Sequence, residues 1–353
     1  MTSRNQHIAV IDFGSSTTRI LVVEDSKAAR VIAYEQEKTQ GVKHGVIVDL
    51  DKATETVQRL VQKIRKKMDH RLLKVFCSIS GESVESKSSH GMVKVRHQEI
   101  NHYDLEDLVS TAKAIHLENK MVIHLLPKQY KVDNQEGVKE PLGMYGVRLE
   151  GDFHLVLGDK GVAQNIVRCL DRAGLSCEGL IFAPIGLAEA VLTTDEKQQG
   201  VVVVDMGEGT TDFSMFFNGV AVYSGSIPIG GGAVTRDIAH KLQINNQDAE
   251  VCKLSASETA SDEIIEEVIN ARYGQIFKFV DMSLANAGLK SRVNRGYVLC
   301  GGAAIYPGIQ HIVEEVCNSP SRVGALLNAS SSGMSHEWLS SVGLVYYILQ
   351  RGS

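Results

Sequence analysis

Residues 8–18 read IAVIDFGSSTT, and residues 201–213 read VVVVDMGEGTTDF. Each is an apolar, largely β-branched run that ends in Asp, one apolar residue and Gly, then reaches two threonines. Asp12 and Asp205 hold the same place, as do Gly14 and Gly207, Thr17 and Thr210, and Thr18 and Thr211. A buried strand that ends twice in the same turn, about half a chain apart, leaves few folds open. The spacing is far beyond the roughly 20–50 residues of stacked repeats, so a solenoid is excluded. A duplicated domain pair with a cleft between the copies is the expectation.

The chain's 353 residues exceed one ordinary domain, which agrees with a pair. Its formal charge of −5 offers no electrostatic reason to expect nucleic acid as a partner. No apolar stretch approaches a membrane span, and MTSRNQH runs into a strand with no apolar signal region. The six cysteines lack C-x-x-C spacing, which predicts reduced core thiols. The twelve histidines show no metal-ligand spacing, so catalytic or metal-binding histidines are not expected.

Strands and helices alternate. IAVIDF and RILVVE form an antiparallel hairpin by spacing, and Val57, Leu60, Val61 and Ile64 predict a helix over 54–67. VFCSIS at 75–80 reads as a buried strand. Over 83–160 the pattern changes to short alternating segments around one helix near 103–114, which suggests an inserted small α+β unit. A helix ended by Gly174, the strand EGLIFA and a helix over 185–192 follow. The second half repeats the opening and continues into a helix over 234–242. Ser261, followed by Asp262 and Glu263, reads as the N-cap of a further helix, and the Ser/Glu/Thr-rich LSASETASDE that contains it is a candidate mobile loop. The strand GYVLCGG and a helix over 338–349 close the chain.

A turn with Gly14 lets backbone N–H groups point inward with no Cβ in the way, which suits phosphate oxygens. Ser15, Ser16, Thr17 and Thr18 add hydroxyls. One such loop is weak, since a Gly turn between strands is usually just a hairpin. Two matched loops facing each other could hold a triphosphate from both sides. Asp12 and Asp205 would then hold Mg²⁺ through its waters. A third cluster, IGGGAVTRDIA, brings Gly230, Gly231 and Gly232 to the start of a helix whose N-terminus could face the nucleotide. A fourth, VLCGGAAIYPGI, offers a turn without side chains on which a flat base could lie.

In this order the motifs resemble the actin, hexokinase and heat-shock chaperone superfamily. They are most similar to its bacterial cell-division branch, the FtsA family. The likeness runs through GVKHGVIVDL, DLVSTAKAI, KQYKVDNQEGVKEPLGMYGVRLEGDFHLV, AQNIVRCLDRAGL, LIFAPIGLAEAVL, GGGAVTRDIA, DAEVCK and CGGAAIYPGI. The block at 128–156 is specific, because actin itself lacks that subdomain.

The resemblance implies an α/β, two-lobed actin-like ATPase fold of duplicated ribonuclease-H-like domains, with a small α+β insertion in the first lobe. The implied first-lobe core is 7–82, completed by 161–195 and a helix at 335–351, with the insertion at 83–160. The second-lobe core would be 196–235 and 294–334, and its upper subdomain 236–293. ATP would sit against Gly14, Ser15, Ser16 and Thr17, and against Gly207, Glu208, Gly209, Thr210 and Thr211. Glu250 and Lys253 would reach the ribose and base, Gly301, Gly302 and Ala303 would form the adenosine turn, and Arg19 stands where relatives place a Lys against the phosphates. The family further implies filaments of the chain itself at the cytoplasmic face of the membrane, at the division septum. It also implies recruitment of the tubulin-like FtsZ, whose C-terminal tail would meet the upper subdomain, and of other division proteins through 83–160.

The chain departs from the family pattern in several places. Glu208 replaces a Gly and brings a carboxylate toward a γ-phosphate. Phe182 and Ala183 stand where relatives that hydrolyse well carry a Glu or Gln, so ATP hydrolysis is expected to be slow at most. The stretch after Lys253 is short where the family carries a hairpin bordering the FtsZ site. The family's C-terminal amphipathic membrane helix has no counterpart in the sequence. The competing reading is a small-molecule kinase of the same superfamily, although 128–160 offers no general-base constellation. A chaperone-like ATPase would need a substrate domain that the sequence does not contain.

Overall fold

The computed structural model describes residues 7–26, 28–68, 74–255, 263–327 and 334–351. β1 (His7–Phe13) folds back onto β2 (Thr17–Glu24), and β2 pairs with β3 (Val31–Lys38), both antiparallel. The hairpin of β4 (Val42–Lys43) and β5 (Val46–Ile47) turns at His44 and Gly45, with φ of 50° and 74°. α1 (Leu50–Arg65) buries the four apolar positions that the spacing picked out. It begins four residues ahead of the expected start, because the Asp49 side chain accepts the Lys52 N–H and caps it there. β6 (Lys74–Ile79) runs parallel to β1.

The insertion follows as β7 (Glu85–Lys94), α2 (His102–Lys113), β8 (Lys120–Val132), β9 (Gln135–Val138) and β10 (Arg148–Asp159). Its strands form a separate sheet in the order β7-β10-β8-β9, closed by α2 over Leu108, Leu149 and Phe153. The segments are longer than the expected short pieces: β8 has 13 residues and β10 has 12. The sheet does not stand free. Buried His154 on β10 places Nε2 3.0 Å from Ser224 Oγ in the second half of the chain.

α3 (Lys160–Arg172) stops at Gly174, where φ is 77°. β11 (Ser176–Phe182) joins β6 in parallel and leads directly into α4 (Ala183–Val191) and α5 (Thr194–Gln199). β12 (Val201–Met206), β13 (Thr211–Phe217) and β14 (Val220–Ile227) form the second antiparallel meander. α6 (Gly231–Leu242), α7 (Asn246–Ser255) and α8 (Glu263–Asn286) come next. α6 begins three residues before the expected start. Ser261 and most of the candidate loop lie outside the described residues. β15 (Tyr297–Cys300), α9 (Ile309–Cys317), β16 (Ser321–Val323) and α10 (Leu339–Arg351) complete the chain.

Among the described residues the two main sheets have the orders β11-β6-β1-β2-β3 and β16-β15-β12-β13-β14. In each, the doubled strand has an antiparallel meander on one side and parallel strands on the other. The architecture is therefore built twice. α4 and α10 lie in the core with β1 and β12, which explains why α4 is apolar almost all round. Their backbones touch at small residues. A Cβ on Gly343 would stand 2.5 Å from the Leu187 Cα. Burying Leu187 and Leu344 there contributes roughly 1.5–3 kcal/mol each.

Candidate functional site

The doubled strands end at the floor of one cavity of about 300 Å³. β1 brings Asp12 there, and Ser78 at the end of β6 donates to its Oδ1 at 2.8 Å. β12 brings Asp205, whose Oδ2 accepts from Ser340 on α10 at 3.0 Å. A third carboxylate, Asp212, stands one strand over. Its Oδ1 accepts the Gly81 N–H at 3.1 Å and its Oδ2 accepts from Thr210 at 3.0 Å. At the rung of the doubled Asp the two hairpins carry different charge: Asp12 lies across from Arg19, whereas Asp205 lies across from Asp212.

Three acids around one floor disfavour each other's charge. Burial first, then the charges of Asp12 and Asp212, push Asp205 up to about 7. Burial raises Asp212 to about 6 against its hydrogen bonds, and raises Asp12 against the nearby Arg19 guanidinium. A cationic ligand at the floor would relieve this repulsion.

The loops after the two strands face each other. Gly14, Ser15, Ser16, Thr17 and Arg19 line one wall; Gly207, Glu208, Gly209 and Thr210 line the other. They approach so closely that a Cβ on Gly209 would stand 2.6 Å from Ser15 Oγ. His44 spans the gap, with Nδ1 2.7 Å from the Gly209 carbonyl oxygen, and Gly45 N–H donates to Ser15 Oγ at 3.1 Å.

Thr211 does not line the cavity: it is buried, and its hydroxyl donates to the Ile229 carbonyl at 2.8 Å. Strand alternation is the reason, since Thr211 opens β13 pointing away and Asp212 points back. Of the third glycine cluster, Gly231 lines the cavity and Gly230 and Gly232 do not. The first N–H groups of α6 are already taken, Gly231 by the Gly207 carbonyl (2.9 Å) and Gly232 by the Glu208 carbonyl (2.8 Å). Glycine is needed there for close approach, because a Cβ on Gly230 would come within 2.4 Å of the Gly207 oxygen. Glu208 lines the cavity, but its carboxylate also lies over the α6 N-terminus, 2.4 Å from where a Gly232 Cβ would stand.

At the other end, Lys253 Nζ contacts Glu250 at 2.7 Å and donates to Thr235 Oγ1 at 2.9 Å. Gly301, Gly302 and Ala303 form the opposite lip, Gly301 at φ 85°, where a Cβ would lie 2.5 Å from Asp205 Oδ1. Sequence reasoning missed Tyr273 and Tyr306, which line this end with ring centres 5.9 Å apart. It also missed Asp212, inside the second motif itself, and Ser340 and Glu337, which come from a distant part of the chain. Where relatives would place a water-orienting residue, Ala183 lines the cavity and Phe182 is fully buried. The Phe182 N–H donates to His124 Nε2 at 2.9 Å, so His124 carries its proton on Nδ1, 2.8 Å from Tyr347 Oη. Burial holds His124 neutral, at about 3.

Residues 81–157 match the family description "SHS2 domain inserted in FTSA", and residues 202–343 match "Cell division protein FtsA". The Cell division protein FtsA of Borreliella burgdorferi is 31% identical over 378 residues, covering 98% of this chain and 91% of that one. Among solved structures, the PilM-PilN type IV pilus biogenesis complex has a TM-score of 0.72 at 14% identity, covering 99% of both chains. MreB5 of Spiroplasma citri bound to ADP has a TM-score of 0.57 at 14% identity, covering 98% of both. These likenesses show the two-lobed actin-like fold with its insertion, and the relatives do not favour a small-molecule kinase. The chain belongs to the FtsA family of bacterial cell-division proteins.

Proposed function

We propose that this chain binds Mg-ATP in the cavity between its halves and uses it chiefly as a structural ligand. The observation that carries this is the pair of matched loops facing each other above buried carboxylates. Gly14–Thr17 and Glu208–Thr210 offer backbone N–H groups and hydroxyls to the phosphates, the Gly207 N–H being held by the Thr210 carbonyl, with Arg19 beside them. Glu250 and Lys253 face the ribose, and the base lies between Gly301–Ala303 and the tyrosine pair. Asp12 and Asp205, with Asp212, fit a hydrated Mg²⁺. Among the described residues no three His, Cys, Asp or Glu side chains are grouped to ligate a metal directly, and Mg²⁺ commonly keeps its waters. The ion would neutralise phosphate charge.

Attack on a γ-phosphate also needs a residue that orients water, and Phe182 and Ala183 supply none. Hydrolysis is therefore slow. Lobe boundaries follow those given above: 7–82 with 161–195 and 335–351, 83–160, 196–235 with 294–334, and 236–293. In this reading the nucleotide-closed chain polymerises on the cytoplasmic face of the membrane at the septum. It meets the FtsZ tail through 236–293 and other division proteins through 83–160. Among the described residues no helix is long and apolar enough to cross a membrane. Attachment in this reading is peripheral. Calorimetry with Mg-ATP, a single-turnover assay and filament imaging on lipid monolayers test this reading. The expected outcome is tight binding, ATP intact after many minutes and filaments present. Absence of binding, or turnover near one per second lost in Asp205→Ala, would overturn it.

A further inference from the structure

Behind Arg19 lies a second cavity of about 330 Å³, lined by Tyr34, Glu35, Gln36, Lys67, Glu337 and Trp338. Glu337 lines this cavity and the cleft alike. Arg19 joins the two. Its Nη2 lies 3.4 Å from Glu337 Oε2, its Nε donates to Gln36 Oε1 at 3.2 Å, and its guanidinium carbon lies 5.8 Å from the centre of the Trp338 ring. Lys67 repeats the arrangement, with Nζ 2.7 Å from Glu35 and 5.7 Å from the Tyr34 ring centre. The two rings meet edge to face at 5.1 Å. The cavity is thus a corner of two carboxylates and two aromatic rings, whose charges and ring faces are held by the chain's own cations, Arg19 and Lys67. Carboxylate and ring together are how proteins recognise guanidinium and ammonium groups.

Arg19 cannot give its full charge to Glu337 and to phosphate at once. Phosphate oxygens are the stronger partner, because they are more highly charged and accept paired N–H groups. We propose that the second cavity is a guanidinium site coupled to the nucleotide cleft through Arg19. When phosphate draws Arg19 into the cleft, an arginine side chain of a protein partner takes its place on Glu337 and Trp338. The proposal rests on the nucleotide reading above. The corner can be reached from solvent, since Tyr34 is 48% exposed. The two ligands then help each other by the same factor, as linkage requires.

Trp338 is the sole tryptophan, so its emission reports on this corner directly. The full chain would be titrated with N-acetyl-arginine amide, with and without saturating Mg-ADP, alongside calorimetry of the nucleotide. The amide should bind about fivefold more tightly, or better, when nucleotide is present. Glu337→Gln should tighten nucleotide binding several-fold and abolish the coupling. Arg19→Ala, with the corner vacated, should bind the amide without nucleotide. Equal amide affinity with and without nucleotide, or weaker nucleotide binding in Glu337→Gln, would overturn the proposal. Should calorimetry detect no nucleotide, the reading of the cleft fails. The Arg19→Ala titration then still decides the corner, and failure to bind there rejects the site.

Discussion

At the scale of single residues, the floor of the cleft is a charge conflict held by burial. Asp205 and Asp212 keep their protons more tightly in the folded chain, at about 7 and about 6, than at the ordinary 3.8. Between those values the folded state binds more protons than the unfolded one. Stability of the ligand-free protein therefore falls as pH rises from 3.8 through about 7 and levels off above. Chemical denaturation across this range should show the decline, and Asp205→Asn should flatten it. A slope that the variant leaves unchanged would place the conflict elsewhere. The same residues show what could be read in advance. Asp12, Asp205 and both glycine turns stood out because each motif is contiguous. Asp212 sits inside the quoted stretch and was still missed, although strand alternation after Thr210 points it back into the cavity and turns Thr211 away. The signal is local, but it is read only once the register of β13 is fixed.

At the scale of elements, α4 and α10 carry the cleft. Ala183 opens α4 on the cavity and Ser340 near the start of α10 holds Asp205. Both helices are tied to the insertion by His124 on β8, which accepts the Phe182 N–H and donates to Tyr347. Tyr347→Phe removes the acceptor and leaves a buried N–H unpaired, which costs about 1–3 kcal/mol. Urea titration should find that loss; a shift below about 0.5 kcal/mol, the usual size for surface substitutions, would mean the ring finds another partner. No sequence pattern announced this link, because its three members lie far apart in the chain and each reads as ordinary core. The glycines of 230–232 were misleading for a related reason. A Gly run before a helix resembles an anion site, but here the loop carbonyls of Gly207 and Glu208 had already taken the first N–H groups.

For the whole molecule, the buried polar contact between His154 and Ser224 joins the insertion to the second half, with Ser214 and Ser86 completing the set. The insertion should therefore melt with the rest of the chain in one calorimetric transition. Ser224→Ala should lower stability by about 1–3 kcal/mol without splitting that transition. An early, separate peak would show an independent unit instead. The duplication was legible at this scale, since an apolar strand ending in Asp-x-Gly-x-x-Thr-Thr occurs twice, half a chain apart. The way the insertion lies against both halves was not, because the contacts are distant in sequence and its apolar members, such as Leu126 and Val156, read as ordinary core. Duplication also raises a problem of direction. A cradle made of two equivalent halves would accept an elongated anion head-first or tail-first at equal energy. The rung that pairs Asp12 with Arg19 in one half and Asp205 with Asp212 in the other removes that degeneracy. One wall attracts anions and the other attracts cations, so a chain of phosphates can lie in the seam with only one polarity. Every copy of the protein would then carry its ligand facing the same way.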